Sequence, residues 1–95
     1  MSSFYNNLIS KNVSWANETK KDLPGFFENI SAGQSPNALW IGCSDSRVPP
    51  TLITKSMPGD LFVHRNIANL VVDSDLNFIS VLEYSVNVLK VNDII

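Results

Sequence analysis

The run Ala38-Leu39-Trp40-Ile41-Gly42-Cys43 is compact and apolar, and polar residues from Ser44 to Arg47 follow it directly. An apolar run this short, bounded by a polar segment, is typical of a strand buried inside a sheet. Ligand sites in α/β sheets lie at the carboxyl ends of such strands. We therefore expect a functional site at Cys43 and in the loop after it.

Downstream of this strand, the sequence predicts alternating helices and strands. The clearest helix covers residues 76–90, and either Ser74 or Asp75 can cap its start. The apolar residues at helical spacing within it are Ile79, Leu82, Val86 and Leu89. The other predicted elements are a short helix over 49–55, a turn at Pro58-Gly59-Asp60, a strand over 61–64 and a third strand entered near Ile94.

Upstream, the sequence predicts short helices over residues 3–11, 13–21 and 24–31. Pro24 stands near the start of the last of these and Gly33 just past its end, which is the usual placement of both residue types. Strands that alternate with helices indicate an α/β fold with a mainly parallel sheet and flanking helices. We expect a single, partial domain, with an N-terminal helical arm over 1–37 and the first part of the α/β core over 38–95.

Composition excludes several classes of protein. The chain has 95 residues, 44% of them hydrophobic and 17% charged, with a net charge of -2. Its seven basic residues are scattered, so no stripe is available for a nucleic-acid backbone. No apolar run is long enough to span a bilayer, and the polar N-terminus does not resemble a signal peptide. The single cysteine, Cys43, fits a reducing compartment, so we expect a cytoplasmic protein.

The segment from Cys43 to Arg47 concentrates the reactive groups, with a thiol, a carboxylate and a guanidinium at alternate positions. A thiolate is a good zinc ligand, and an Arg two residues from Asp45 can pair with that carboxylate and keep it ionised. The same pattern also fits a buried Cys followed by an ordinary surface ion pair. From these residues alone, both interpretations stay open.

A longer series of motifs resembles the β-class carbonic anhydrases. Leu39-Trp40-Ile41-Gly42-Cys43-Ser44-Asp45-Ser46-Arg47-Val48-Pro49 is similar to their first zinc-binding motif. The resemblance continues through Pro58-Gly59-Asp60-Leu61-Phe62-Val63-His64-Arg65-Asn66-Ile67-Ala68-Asn69 and over Ser80-Val81-Leu82-Glu83-Tyr84. It covers the chain from about Trp15 to the last residue, in order and at family spacing. The implied fold is a truncated β-carbonic anhydrase fold.

The resemblance implies a zinc enzyme that interconverts carbon dioxide and bicarbonate and works as a dimer-based homo-oligomer. It implies that Cys43 is the first zinc ligand and that Asp45 and Arg47 are the catalytic pair. In an inactive state, Asp45 can occupy the fourth coordination position of the zinc ion. The residues that match substrate-binding positions are Gln34, Phe62 and Tyr84. Without the resemblance, an exposed loop amide for Gln34 and ordinary core packing for Phe62 and Tyr84 would be the favoured interpretations. Trp40 and Arg65 match a non-catalytic bicarbonate site of one subgroup.

The family pattern also implies two further zinc ligands, a His and a Cys separated by two residues, soon after the strand that starts near Ile94. They lie outside these 95 residues, and His64 stands where the family does not use a ligand. We expect His64 to be partly buried with a structural hydrogen bond. We therefore expect an active complete enzyme and an isolated chain that binds zinc poorly.

Two readings compete with the enzyme. One is a truncated, non-catalytic paralogue that pairs with full-length subunits, which an exposed apolar helix face favours. The other is a redox protein that uses Cys43, although no second cysteine is present.

Overall fold

The computed structural model describes residues 2–95 in two compact units, one ending at Gly33 and the other spanning Gln34–Ile95. The predicted division of a partial domain into an arm over 1–37 and the first part of a core over 38–95 stays a prediction. Among residues 2–95, no helix has both the length and the apolarity that crossing a bilayer requires.

The first unit consists of helix α1, Ser3–Asp22, and helix α2, Phe26–Ser31. The Tyr5 N–H donates to the Ser2 hydroxyl at 3.2 Å and caps the start of α1. The prediction of separate helices over 3–11 and 13–21 is wrong, because the single helix α1 covers both; the chain has no Gly or Pro before Pro24 to interrupt it. Helix α2 starts two residues later than predicted, since Gly25 is left-handed with φ of 82°.

The second unit contains a sheet with all its strands parallel, in the order β2-β1-β3. Its elements are β1 (Ala38–Cys43), α3 (Pro50–Ile53), β2 (Leu61–Asn66), a 3-10 turn (Ile67–Asn69), α4 (Leu76–Glu83), a π-helical segment (Tyr84–Val88) and β3 (Asp93–Ile94). The prediction of an α/β fold with a parallel sheet is confirmed.

Strand β1 has the predicted bounds, and β2 pairs with it along its whole length, from Ala38 opposite Leu61 to Cys43 opposite Asn66. Strand β2 is two residues longer than predicted, because Arg65 and Asn66 continue the pairing although their side chains are polar. Leu39 is fully buried. Since side chains alternate along a strand, Leu39 and Cys43 belong to the same sheet face.

Helix α4 and the π-helical segment cover the face of the sheet that carries Phe62 and His64. The His64 ring lies edge-on to Phe78, with centroids 5.5 Å apart, and Phe62 lies 5.9 Å from Tyr84. His64 is 5% exposed, so it is more deeply buried than predicted. The expected structural hydrogen bond is absent at its Nε2, which has no partner within residues 2–95. Apolar packing alone holds this end of the ring.

The predicted helix over 76–90 begins correctly at Leu76, and Asp75 is its cap, accepting the Asn77 N–H at 3.0 Å. Its α-helical part ends at Glu83, and the chain then widens into the π-helical segment. The buried Ser85 hydroxyl donates to the Leu82 carbonyl at 2.8 Å. It competes there with the backbone N–H that an α-helix would supply, which favours the wider turn.

Helix α3 is shorter than the predicted 49–55 and ends at Ile53. The Thr54 hydroxyl donates to the Pro50 carbonyl at 2.7 Å, and Lys55 is left-handed with φ of 52°, so the helix cannot continue.

Gly42 lies against the Trp40 indole on the sheet face opposite Leu39. A Cβ added at Gly42 would stand 2.6 Å from Trp40 Nε1 and 3.2 Å from its Cδ1. Because an indole is rigid, the Gly42→Ala substitution must displace it. We expect a loss of about 1–3 kcal/mol in the free energy of unfolding, measured by urea titration.

The matched control is Gly42→Ala in a Trp40→Val background, where the smaller side chain leaves room for the methyl group. The cost of Gly42→Ala should then fall below about 1 kcal/mol. The same cost in both backgrounds would contradict the contact.

Candidate active site

The candidate site lies where β1 and β2 end side by side. Cys43 stands opposite Asn66, and the Ser44 N–H donates to the Asn66 carbonyl at 2.8 Å, so backbone pairing extends one step beyond the strand. Cys43 is a free thiol of intermediate exposure. The pairing therefore sets the position from which the loop leaves the sheet.

Asp45 and Arg47 form a tight ion pair in this loop. The Arg47 guanidinium donates from Nη2 to Asp45 Oδ2 at 2.6 Å and from Nε to Oδ1 at 3.0 Å. The Arg47 backbone N–H also donates to Oδ1, at 2.9 Å. Both carboxylate oxygens are occupied, so the Asp45 side chain has one orientation. The Arg47 side chain is 86% exposed and that of Asp45 31%.

The ion pair shifts the pKa of both of its members. Hydrogen bonds from the Arg47 side chain and then from its backbone lower the pKa of Asp45, and the charge of Arg65 adds to this effect. The hydrogen bond to Asp45 raises the pKa of Arg47, with a smaller contribution from Cys43. Asp45 is therefore an ionised group that only accepts hydrogen bonds at neutral pH.

Arg65 reaches the same loop from β2 and binds its backbone. Its Nε donates to the Cys43 carbonyl at 2.7 Å, and its Nη2 donates to the carbonyls of Asp45 at 2.6 Å and Val48 at 3.3 Å. Sequence reasoning placed Arg65 only at a second bicarbonate site and missed these contacts. The sequence shows an arginine near the predicted end of a strand. Which carbonyls it binds depends on how β2 is aligned with β1, and the sequence does not show that alignment.

Asn66 fastens the turn that follows β2. Its Nδ2 donates to the Leu70 carbonyl at 2.8 Å, and its Oδ1 accepts the Leu70 N–H at 2.7 Å. Between them, Ala68 and Asn69 are both left-handed, with φ of 63° and 52°. Non-glycine residues seldom adopt this conformation, so the two amide hydrogen bonds offset its strain. Sequence reasoning missed this clamp as well.

The predicted substrate-binding residues are only partly brought together. Phe62 and Tyr84 are in contact through tilted rings, at an interplanar angle of 35°. Gln34 is exposed in the loop before β1, and no hydrogen bond ties its side chain to another of residues 2–95. The aromatic pair is thus a structural unit, whereas Gln34 is not joined to it. The substrate roles of all three stay predictions.

The donor atoms of residues 2–95 do not make a complete zinc site. No group of three or more His, Cys, Asp or Glu side chains is placed to hold a metal among them. Cys43 provides one thiol, both oxygens of Asp45 are engaged by Arg47, and His64 is buried against Phe78. A catalytic zinc ion normally needs three protein ligands, and Cys43 fits one of them.

Comparisons with known proteins identify the family that this chain resembles. A family model described as carbonic anhydrase matches residues 38–95. A carbonic anhydrase of Emericella nidulans is 46% identical over 91 residues, which are 96% of this chain and 40% of the relative. One of two tetrameric β-carbonic anhydrases of Sordaria macrospora, known from crystal structures, superposes with a TM-score of 0.95 at 47% identity, over 98% of this chain and 47% of that one.

A β-carbonic anhydrase of Aspergillus fumigatus superposes with a TM-score of 0.94 at 40% identity, over 97% of this chain and 44% of its own. The chain therefore spans less than half the length of each of these three relatives.

Asn66→Ala removes both hydrogen bonds to Leu70 and leaves the left-handed turn without support. We expect the free energy of unfolding to fall by about 1–2 kcal/mol in urea titration. Asn87→Ala is the control for the same change of side chain, because Asn87 is exposed to solvent and lies outside the turn; it should change stability by no more than about 0.5 kcal/mol. Equal effects of the two substitutions would show that the clamp contributes nothing.

Proposed function

The chain belongs to the β-class carbonic anhydrase family, and from this premise we propose that it forms the first part of a centre for the reversible hydration of carbon dioxide to bicarbonate. The observation that carries the proposal is the Asp45–Arg47 ion pair, held in one orientation two residues from Cys43 at the carboxyl edge of the sheet. Ligand sites of α/β sheets lie at this edge.

We propose that zinc is the cofactor and that Cys43 is its first ligand in this chain. When bound in such a centre, zinc supplies hydroxide at neutral pH by lowering the pKa of water to about 7. The remaining ligands would come from polypeptide outside these 95 residues, because Cys43 is the one suitable donor that the site offers. "Complete polypeptide" below means a chain of the relatives' length that carries this sequence.

Within that centre, Arg47 holds the carboxylate of Asp45 through both of its oxygens and keeps it ionised. An ionised carboxylate can accept a proton or a hydrogen bond from the attacking oxygen, but it cannot donate one. If the pair with Arg47 opened, the same carboxylate would be free to act as a metal ligand, which is the inactive state expected from the family. The bidentate contact therefore favours the active arrangement.

The apolar surface of Phe62 and Tyr84 suits a small apolar substrate such as carbon dioxide. Their rings are in contact on the sheet face that also carries Cys43, which supports a role in lining the substrate pocket. We assign Gln34 the polar role of orienting substrate or bicarbonate. Its exposed position leaves its amide free for this.

A second candidate function is association, either in a homo-oligomer or, as a non-catalytic paralogue, with full-length subunits. The hydrophobic residues that are buried within residues 2–95 are Ala38, Leu39 and Phe78. Large apolar side chains such as Phe4, Leu52 and Leu76 are 69%, 74% and 78% exposed. The tetrameric Sordaria relative supports the homo-oligomer. The free thiol of Cys43 supports a reducing, cytoplasmic setting.

We expect the isolated chain and the complete polypeptide to differ in zinc binding. The isolated 95-residue chain should hold much less than one equivalent of zinc and show little carbon dioxide hydration in stopped-flow assays, because it supplies one proposed ligand, Cys43, where a catalytic site needs three. The complete polypeptide should bind about one zinc per chain and be active. Cys43→Ser in the complete polypeptide should lose both properties. Near-stoichiometric zinc and strong turnover in the isolated chain would refute the division of ligands.

Asp45→Asn in the complete polypeptide tests the role of the carboxylate. The amide has nearly the same shape, but it presents a donor where the carboxylate accepts. We expect kcat for hydration to fall by about 100-fold or more with zinc content unchanged. Asp73→Asn, at an exposed position outside the loop, is the control and should leave kcat unaltered. An Asp45→Asn enzyme with normal kcat would exclude the proposed role.

A further inference from the structure

We propose that Arg65 is the positioning residue of the active-site loop: its guanidinium fastens the backbone carbonyls of the loop that carries Cys43, Asp45 and Arg47. The inference rests on the proposed function for its catalytic consequence, although the contacts themselves do not depend on it. No substrate or metal contact is assigned to Arg65.

The contacts span the loop from its start to its end. Arg65 donates to the carbonyl oxygens of Cys43 at 2.7 Å, Asp45 at 2.6 Å and Val48 at 3.3 Å, which lie 22, 20 and 17 residues away in sequence. Its side chain reaches them from near the end of β2, where Arg65 pairs with Gly42. One side chain of the sheet therefore holds both ends of the loop.

A guanidinium suits this role better than an ammonium group. Its donors lie in a rigid planar fork, so Nε and Nη2 can bind two carbonyls in a fixed relation, and hydrogen bonds from a charged donor are the stronger kind. Lysine would bring the same charge as a single point on a flexible stem. The geometry thus depends on the fork as well as on the charge.

The hydrogen bonds from Arg65 restrict the backbone conformation at Cys43 and Asp45. The Asp45 carbonyl also accepts the Val48 N–H at 3.2 Å, so it joins the turn and the arginine in one network. With the carbonyls of Cys43 and Asp45 held, the direction in which both side chains leave the backbone is restricted. Arg47 then needs only to orient the carboxylate itself.

The two arginines consequently have different tasks. Arg47 is almost fully exposed and binds a side chain, whereas Arg65 is half-buried and binds the main chain. Loss of Arg65 should loosen the loop while the rest of the sheet and α4 stay intact, since the strand pairing does not use its guanidinium.

The first experiment measures amide hydrogen exchange in Arg65→Gln, Arg65→Lys and the unmodified protein. We expect the Val48 amide to exchange about tenfold faster in Arg65→Gln, with the amides of α4 unchanged. Arg65→Lys should restore only part of the protection, because it keeps the charge and loses the fork. Lys21→Gln is the control for the loss of one positive charge at an exposed site and should leave Val48 protected.

Three results would overturn the proposal: unchanged Val48 exchange in Arg65→Gln, equal acceleration in the loop and in α4, or full protection in Arg65→Lys. The first denies the contacts, the second shows a general loss of structure, and the third assigns the effect to charge alone. If Arg65→Gln fails to fold, Arg65→Lys against the unmodified protein decides by the same Val48 readout.

The second experiment measures hydration by the complete polypeptide. Arg65→Lys should lower kcat by about 100-fold, with KM close to that of the unmodified enzyme. The reason is that misplaced reactive groups slow the chemical step more than they weaken substrate binding. An unchanged kcat would overturn the catalytic consequence of Arg65. An inactive unmodified enzyme would instead refute the proposed function, and the exchange experiment would still test the contacts of Arg65.

Discussion

The parallel pairing of β1 with β2 is the constraint on which the other features depend. It runs over six residue pairs, from Ala38–Leu61 to Cys43–Asn66, and it sets which side chains share a face of the sheet. A shift of one residue would move Phe62 and His64 away from the helix that covers them. It would also separate Cys43 from Asn66, and the guanidinium of Arg65 would no longer lie within hydrogen-bond distance of the loop carbonyls.

Local patterns in the sequence predicted much of this unit for physical reasons that can be named. The strand over 38–43 was predicted with correct bounds, because an unbroken apolar run has few alternatives to burial. The strand over 61–64 was too short, since backbone pairing carried Arg65 and Asn66 into the sheet against their polarity. The widening of the helix after Glu83 is favoured by the buried Ser85 hydroxyl, and this hydrogen bond cannot be predicted from the spacing of apolar residues.

The contacts of the site likewise fall into local ones, which the sequence predicts, and long-range ones, which it does not. Spacing alone indicated the pair of Asp45 with Arg47, because two residues of separation bring their side chains together in a turn, and the resemblance assigned them a role. The contacts of Arg65 join residues 17–22 apart, so they require the strand register before they can be foreseen. That His64 Nε2 finds no hydrogen-bond partner among residues 2–95 likewise follows from how α4 packs on the sheet, which local sequence patterns do not contain.

The carboxyl edge of a parallel sheet has a general difficulty that this loop resolves. Strands that end together leave backbone carbonyls without ladder partners, and a buried carbonyl without a donor is costly. Arg65 satisfies the carbonyl of Cys43 at the end of β1 and that of Asp45 in the loop with one charged group, and Asn66 stabilises the turn after β2. The groups that complete the backbone hydrogen bonds are also those that fix where Cys43 and Asp45 point. Stability at the sheet edge and placement of the reactive side chains therefore have the same physical origin.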